Sequence, residues 1–282
     1  MSPVDAATIV VHEPFRRGVP PLGPYFRQLW QRRQFVVHLA RSELKAEHYN
    51  TAFGQLWNII NPLLLAAVYF LLLGVIKKGG PDRGSAEFMA RLITGIFFFY
   101  FTRHSAQGGA SSVVSGERLI LNTAFPRALL PITAVIGAFL QFLPTLPIIL
   151  ALYLALGQPL HMSMTLLPLL AVILTVFNLG LALFLSAATV YFRDTKVFLP
   201  YVLRIWLYLT PILYSPAEVP ESVAPFLKIN PLYYPFAALQ GILAGDWPTA
   251  TQLLASGGWA VAVAVAGALF FVSRERELVT RL

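Results

Sequence analysis

The sequence has no cysteine, so disulfide scaffolds, thiolate metal sites and cysteine nucleophiles are all excluded. Charge is scarce as well. Only 12% of the 282 residues are Asp, Glu, Lys or Arg, about half of what a water-exposed domain carries, while 57% are apolar. A chain of this composition cannot keep most of its surface in water, and it reads as an all-α integral membrane protein. No Gly-x-x-x-x-Gly-Lys-Ser/Thr loop occurs, which excludes nucleotide hydrolysis by this chain in the P-loop manner. The histidines His12, His38, His48, His104 and His161 lack metal-ligand spacing; no metal site is expected, and each is placed at a surface or helix interface. None of the thirteen acids falls inside an apolar run. The paired carboxylates of a membrane glycosyl transferase and the buried acid of a proton-coupled carrier are therefore missing. The net charge of +8 fits cytoplasmic segments lying against anionic headgroups, not nucleic acid.

What is present is a series of apolar runs. Residues 1–55 contain none longer than 6–11, which predicts no secretory signal peptide and a cytoplasmic N-terminus. Within that segment, residues 25–45 have helical periodicity: Phe26, Leu29, Trp30, Val37, Ala40 and Leu44 form one stripe, with Arg27, Gln31, Gln34, His38, Arg41 and Lys45 opposite. This predicts an amphipathic helix lying in the headgroup plane, with Arg33 interrupting the stripe as a snorkelling arginine can. Residues 56–76 are long enough for about 30 Å of hydrocarbon at 1.5 Å per residue. Further spans are predicted at 88–114, 129–156, 166–192, 197–214 and 253–272, six in all, with Pro144 and Pro147 as kink sites. Residues 105–112, small and weakly polar, read as a packing seam.

Residues 215–247 are too apolar for a free loop and too broken by Pro216, Pro220, Pro225, Pro231 and Pro235 for a span, which predicts a re-entrant helical pair between spans five and six. With both termini in the cytoplasm, fourteen Lys and Arg lie inside and five outside, as the positive-inside rule favours. Lys77 and Lys78 oppose it. The chain divides into a cytoplasmic segment 1–55, a six-helix domain 56–272 and a cytoplasmic tail 273–282.

Two intramembrane cations stand out, Arg103 and Arg204. Each is either a structural arginine or a contact for an anionic group such as a lipid diphosphate, which suits a planar guanidinium. Aromatics at Trp57, Tyr69, Tyr201, Trp206 and Tyr208 are either interfacial packing or surfaces on which sugar rings stack. The link 115–125, with Ser115 as a potential cap and Pro126 as a stop, predicts a helix of about two turns. That helix is either a plain connector or a peg that docks a cytoplasmic partner.

The pieces Arg41-Ser-Glu-Leu-Lys45, Phe53-Gly54-Gln55-Leu56-Trp57-Asn58, Asn61-Pro62-Leu63, Phe125-Pro126-Arg127, Tyr191-Phe192-Arg193-Asp194, Thr210-Pro211-Ile212-Leu213-Tyr214 and Asn230-Pro231-Leu232 occur in order over residues 25–247. Together with six spans they resemble the permease subunit of type-2 ABC exporters, in the branch that exports lipid-linked polysaccharide or polyol-phosphate chains. The resemblance implies a homodimer in the inner membrane above two copies of a separate P-loop ATPase, which would bind ATP and magnesium; this chain would hold no cofactor. It implies a gate helix carrying Phe26, Arg27, Leu29, Trp30, Arg33, Val37 and Arg41, and a coupling helix carrying Ser115, Glu117, Arg118, Leu119, Asn122 and Phe125. The candidate pathway residues are then Trp57, Tyr69, Arg103, Tyr201, Arg204, Trp206 and Tyr208. The basic loop 77–83 departs from the family pattern. An Ala-rich, Arg-over-Lys composition tilts the cargo toward a galactan or O-antigen-like glycan on a polyprenyl diphosphate, with membrane lipids alongside. A small-lipid or drug permease of the same class, a secondary carrier, and a membrane enzyme or scaffold are the competing readings.

Overall fold

The computed structural model describes residues 22–47, 53–76, 85–122 and 126–281, and no strand occurs among them. Two short helices, α1 (Leu22–Gln31) and α2 (Arg33–Glu47), meet at Arg32. A single 3-10 turn leads into α3 (Trp57–Phe70), which continues as a π-helical turn through Leu71–Ile76. α4 (Ala86–Ser115) starts where the Ser85 hydroxyl accepts from the Phe88 N–H at 3.1 Å, with Glu87 favourably placed in its first turn. After Gly116 comes α5 (Glu117–Asn122). α6 (Leu129–Phe142) and α7 (Thr145–Ala155) are separated at residues 143–144, where Pro144 cannot donate to the helix ladder. α8 (Leu167–Tyr191) and α9 (Thr195–Leu209) follow, then the short α10 (Ala224–Lys228), α11 (Tyr233–Ala244) and the 32-residue α12 (Ala250–Arg281).

Among the described residues, four stretches are long and apolar enough to cross a membrane: Gly54–Gly74, Leu129–Ala155, Met162–Tyr191 and Ala250–Glu275. α4 is not among them, because Arg103, His104 and the Ser, Gly and Gln residues of its second half lower its hydropathy, yet seventeen of its thirty residues are buried. Its first half buries Phe97, Phe98, Phe99 and Phe101 against Phe142 of α6 and Phe236 of α11, with ring centroids 4.9 Å apart for Phe98–Phe142 and 5.1 Å for Phe101–Phe142.

Where apolar side chains cannot supply contact area, small residues let the backbones close. Gly180 of α8 lies directly against Val263, Ala264 and Gly267 of α12, and Gly109 of α4 against Ala182 of α8; a Cβ at Gly180 or Gly109 would overlap those neighbours. Lipid tails give apolar helices no reason to prefer one another over solvent, so this backbone proximity is what makes α4, α8 and α12 one block.

The segment after α9 departs from the span expected at 197–214. The helix stops at Leu209 because Pro211 lacks an N–H and disfavours a helical residue before it. The carbonyls freed by that break are satisfied from outside. Leu209 O accepts from Asn230 Nδ2 (3.1 Å) and from the Tyr214 hydroxyl (3.0 Å), while Gln240 Nε2 donates to Pro211 O (2.7 Å) and Tyr214 O (2.9 Å). Asn230 also accepts from Trp206 Nε1 at 2.8 Å and from the Leu232 N–H at 3.0 Å. Backbone groups freed inside a protein need such partners. The far end of α11 closes on Gly245 in the left-handed region (φ 97°) with the His161 ring packed against it, and Ser163 Oγ donates to Ile242 O at 2.7 Å.

Candidate functional site

The second half of α4 places Tyr100, Arg103, His104, Gln107, Ser111 and Ser115 on one face, since three- and four-residue spacings return to the same side of a helix. Two openings lie along it. One, of about 610 Å³, is enclosed by this face, by Leu39, Ala40, Glu43 and Leu44 of α2, by Leu119 of α5, and by Leu130, Ala134 and Gln141 of α6. The other, of about 430 Å³, lies between α4 and Asn61, Leu64, Leu65 and Val68 of α3. His104 and Gln107 border both, so the openings form one track about four turns long with the polar face of α4 along it.

The chemistry of the track is mainly neutral. Ser111 Oγ donates back to the Gln107 and Gly108 carbonyls, both at 3.1 Å, and Ser112 Oγ to Gly109 O at 2.7 Å, and each hydroxyl, lining the opening, keeps its capacity to accept. Gln107 and Gln141 add amides. The acid on the α2 side is Glu43, whose carboxyl desolvation raises above its ordinary range.

At the upper end of the track, Arg103 donates to the Tyr100 hydroxyl at 3.3 Å, with its guanidinium 5.1 Å from the centre of the same ring. Tyr69 of α3 donates to Tyr208 of α9 at 3.0 Å, their rings edge to face at 6.1 Å. The Arg204 guanidinium and the Tyr100 hydroxyl are both near enough to Tyr69 to act on it electrostatically. Four of the candidate pathway residues, Tyr69, Arg103, Arg204 and Tyr208, thus converge from α3, α4 and α9.

The other three do not join them. Trp57 meets Phe53 edge to face at 5.6 Å at the start of α3, and Tyr201 is exposed about one turn before Arg204 on α9. Trp206 packs on Phe177 at 6.1 Å and donates to Asn230, a structural role. Tyr100, His104, Gln107 and Gln141 were not among the sequence candidates. The recurrence of polar residues at helical spacing over 100–115 was the available signal; the packing seam expected at 105–112 holds at Gly109, which closes on Ala182, while Gln107 and Ser111 of the same stretch line the opening.

The predicted amphipathic helix occurs as two pieces, and its buried line runs through Val36 and Ala40, with Leu29, Val37, Leu39 and Leu44 half-buried. Trp30 is 70% exposed, with the Arg33 guanidinium 5.1 Å from its ring and donating to Trp30 O at 3.1 Å. Arg33 therefore caps an outward-facing tryptophan, and Arg27 of α1 and Arg41 of α2 are also exposed. In the link, Ser115 ends α4 instead of capping the next helix, and Gly116 O accepts the first α5 bonds from Leu119 and Ile120, both at 3.0 Å. Ile120 is buried and Leu119 half-buried against the α6 end, Glu117 is half-buried, and Arg118 faces out. The Phe26 and Asn122 side chains, Phe125 and the basic loop 77–83 lie outside the described residues.

Residues 34–244, from inside α2 to the last residue of α11, match the model of the ABC-2 type transporter family. The chain belongs to that family. It is also 30% identical to the O-antigen export system permease protein RfbA of Myxococcus xanthus over 254 residues, covering 89% of this chain and 96% of the relative. A Klebsiella pneumoniae protein of the same name is 29% identical over 198 residues, 70% of this chain and 75% of the relative. The ABC-2 match and the apolar helices together make this a multi-pass membrane protein. Both the polar track and the Asn230 bracket lie inside the matched residues, so they belong to the ABC-2 domain itself. Among the described residues, no three His, Asp or Glu side chains converge as a metal site would require.

Proposed function

We propose that this chain is the membrane subunit of an ATP-driven exporter that moves a lipid-linked polysaccharide from the cytoplasmic side across the inner membrane. The observation that carries this reading is the near full-length similarity to a protein named as an O-antigen export permease, over a chain whose own interior has a polar, hydroxyl-accepting track. In this reading six spans cross the bilayer: α3, α4, α6 with α7, α8, α9 and α12. α10 and α11 form the re-entrant pair, and both termini are cytoplasmic. Two copies assemble into a homodimer, and two copies of a P-loop subunit supply ATP hydrolysis with magnesium. The segment 1–55 brings the gate, 56–272 the pathway, and 273–282 the cytoplasmic tail.

The parts then have distinct tasks. Trp30 with Arg33, beside Arg27 and Arg41, seats the gate pair α1–α2 at the headgroups, since an aromatic with a basic neighbour suits that boundary. Arg103 and Arg204 attract the diphosphate of a polyprenyl carrier, and Tyr69, Tyr100 and Tyr208 offer ring faces to sugars. α5 docks in the ATPase through Glu117 and Arg118. ATP-driven motion favours one permease state over another only through contacts that differ between the two. The cargo favoured is a galactan or O-antigen-like chain on a polyprenyl diphosphate.

The test is reconstitution of the chain with its ATPase in proteoliposomes carrying a fluorescent polyprenyl diphosphate glycan. ATP-dependent protection of the glycan inside inverted vesicles is expected. ATP hydrolysis stimulated by a short-chain lipid or a drug, without glycan movement, would refute the cargo; a complex that hydrolyses no ATP would refute the export reading itself.

A further inference from the structure

At 1.5 Å per residue α12 is ~48 Å long, well beyond a hydrocarbon core of about 30 Å, so its last turns project past the span. They are not loose. Leu278 is fully buried beside Ile120, Leu130 and Val190, the Tyr191 hydroxyl donates to Glu277 Oε2 at 2.7 Å, and the Arg281 guanidinium lies 4.6 Å from the Tyr191 ring. On this fixed projection sits Glu275, an acid only 6% exposed.

A buried carboxylate is costly unless donors surround it. Here its Oε1 accepts the backbone N–H of Arg127 at 2.7 Å, and the Arg127 guanidinium donates to the Glu275 carbonyl at 3.4 Å. Arg127 stands directly after the link that leaves α5. From the other side Tyr25 of α1 packs on the same cluster; burial, with the nearby negative charge of Glu275 adding to it, raises its hydroxyl above the ordinary range and keeps it protonated. Leu29 of α1 and Leu39 of α2 pack on the apolar cluster just beneath. Three segments distant in sequence, the α1–α2 pair, the α5–α6 link and the end of α12, are thus joined at one acid.

We propose that Glu275 is a positioning residue that ties the α1–α2 pair to the link emerging from α5, so that displacement of α5 by the ATPase reaches the gate directly, on the cytoplasmic face, without passing through the spans. This rests on the export reading above. The acid acts as a shared anchor: its bond to a backbone N–H holds the link in register whatever side chain stands there, and its charge acts on Tyr25 of α1 packed beside it. Removing the carboxylate leaves the Arg127 N–H without its acceptor and takes away the charge beside the Tyr25 hydroxyl, and the link then moves without carrying α1.

The experiment uses the full chain with its ATPase in lipid nanodiscs. The natural absence of cysteine allows spin labels at Gln28→Cys in α1 and Thr251→Cys at the opposite end of α12 without altering any other position. In the otherwise unaltered chain, trapping the nucleotide-bound state is expected to shift the 28–251 distance. Glu275→Ala is expected to keep ATP hydrolysis, reduce the shifted population about tenfold and lower export per ATP in proportion, as loss of a charge-assisted bond would. Glu275→Gln, which retains an acceptor for the Arg127 N–H, should recover part of the shift, a rescue that a merely space-filling role does not give. Should Glu275→Ala fail to fold, Tyr25→Phe removes only one hydroxyl and is expected to uncouple the gate in the same sense.

A full shift at residue 28 in both Glu275→Ala and Tyr25→Phe overturns the proposal. So does an unaltered complex that hydrolyses ATP and exports with no displacement at residue 28, which leaves the export reading intact. An unaltered complex without ATP hydrolysis overturns the export reading and this inference with it.

Discussion

Replacing Asn230 with alanine is the sharpest test of how the broken segment after α9 is held. The amide makes four bonds: it accepts from Trp206 Nε1 and the Leu232 N–H, and it donates to Leu209 O and to Thr210 Oγ1 at 3.3 Å. Leu209 O retains the Tyr214 hydroxyl and Thr210 Oγ1 still donates to Trp206 O at 2.8 Å, so neither is orphaned outright. The Trp206 and Leu232 N–H groups do lose their acceptor. At about 1 kcal/mol for each net bond, with a further penalty for a half-buried donor left unmet, the expected loss is roughly 2–4 kcal/mol. The assay is unfolding in mixed micelles followed by far-ultraviolet circular dichroism, repeated for Trp206→Phe and for the double variant. Because the indole N–H has no partner once Asn230 is gone, the two changes should not add, and the cycle should return an interaction of about 1 kcal/mol. A loss below about 0.5 kcal/mol for Asn230→Ala, or strict additivity, would refute the bracket as the support of this segment.

Gly180→Val should prevent α8 from seating on α12 and abolish folded, monodisperse protein, whereas Gly258→Ala, with open space around its Cβ position, should change stability by less than about 0.5 kcal/mol; size-exclusion profiles separate the two. Glu117→Ala combined with Arg118→Ala should leave the fold intact, because Ile120 anchors α5, yet uncouple ATP hydrolysis from export. Normal coupling would remove α5 from the docking role. Arg204→Ala should weaken binding of a polyprenyl diphosphate by roughly tenfold in a fluorescence titration, the effect of one charge-assisted contact; unaltered binding would return Arg204 to a structural part.

The membrane class and the helical nature of nearly every segment were legible because each rests on local composition, and the family because short motifs occur in order along the chain. Long apolar runs and the proline at 144 act within a few residues of themselves, whereas the stop before Pro211 fell inside the span expected at 197–214. The amphipathic pattern at 25–45 was legible too, but not the break at Arg32, nor the choice of Val36 over Val37 for the buried line, since the neighbour that covers them is α6, about ninety residues away.

The candidate site was legible only in pieces. Arg103, Arg204, Tyr69 and Tyr208 could each be picked as polar or aromatic exceptions in apolar surroundings, whereas Trp206 met the same criterion and serves as a brace for Asn230. What separates them is which helix faces which, and that is settled by Gly109 and Gly180 letting α4, α8 and α12 close together. Glu275 shows the same division. By sequence it is one acid in a polar tail; only the meeting of α1, the α5–α6 link and α12 buries it. The sequence by itself determined that this chain must live in a bilayer and which stretches are helical, because burial preference and hydrogen-bond geometry are local. The tertiary structure alone decided which polar groups share an opening and which share an acid, because those depend on contacts between segments far apart along the chain.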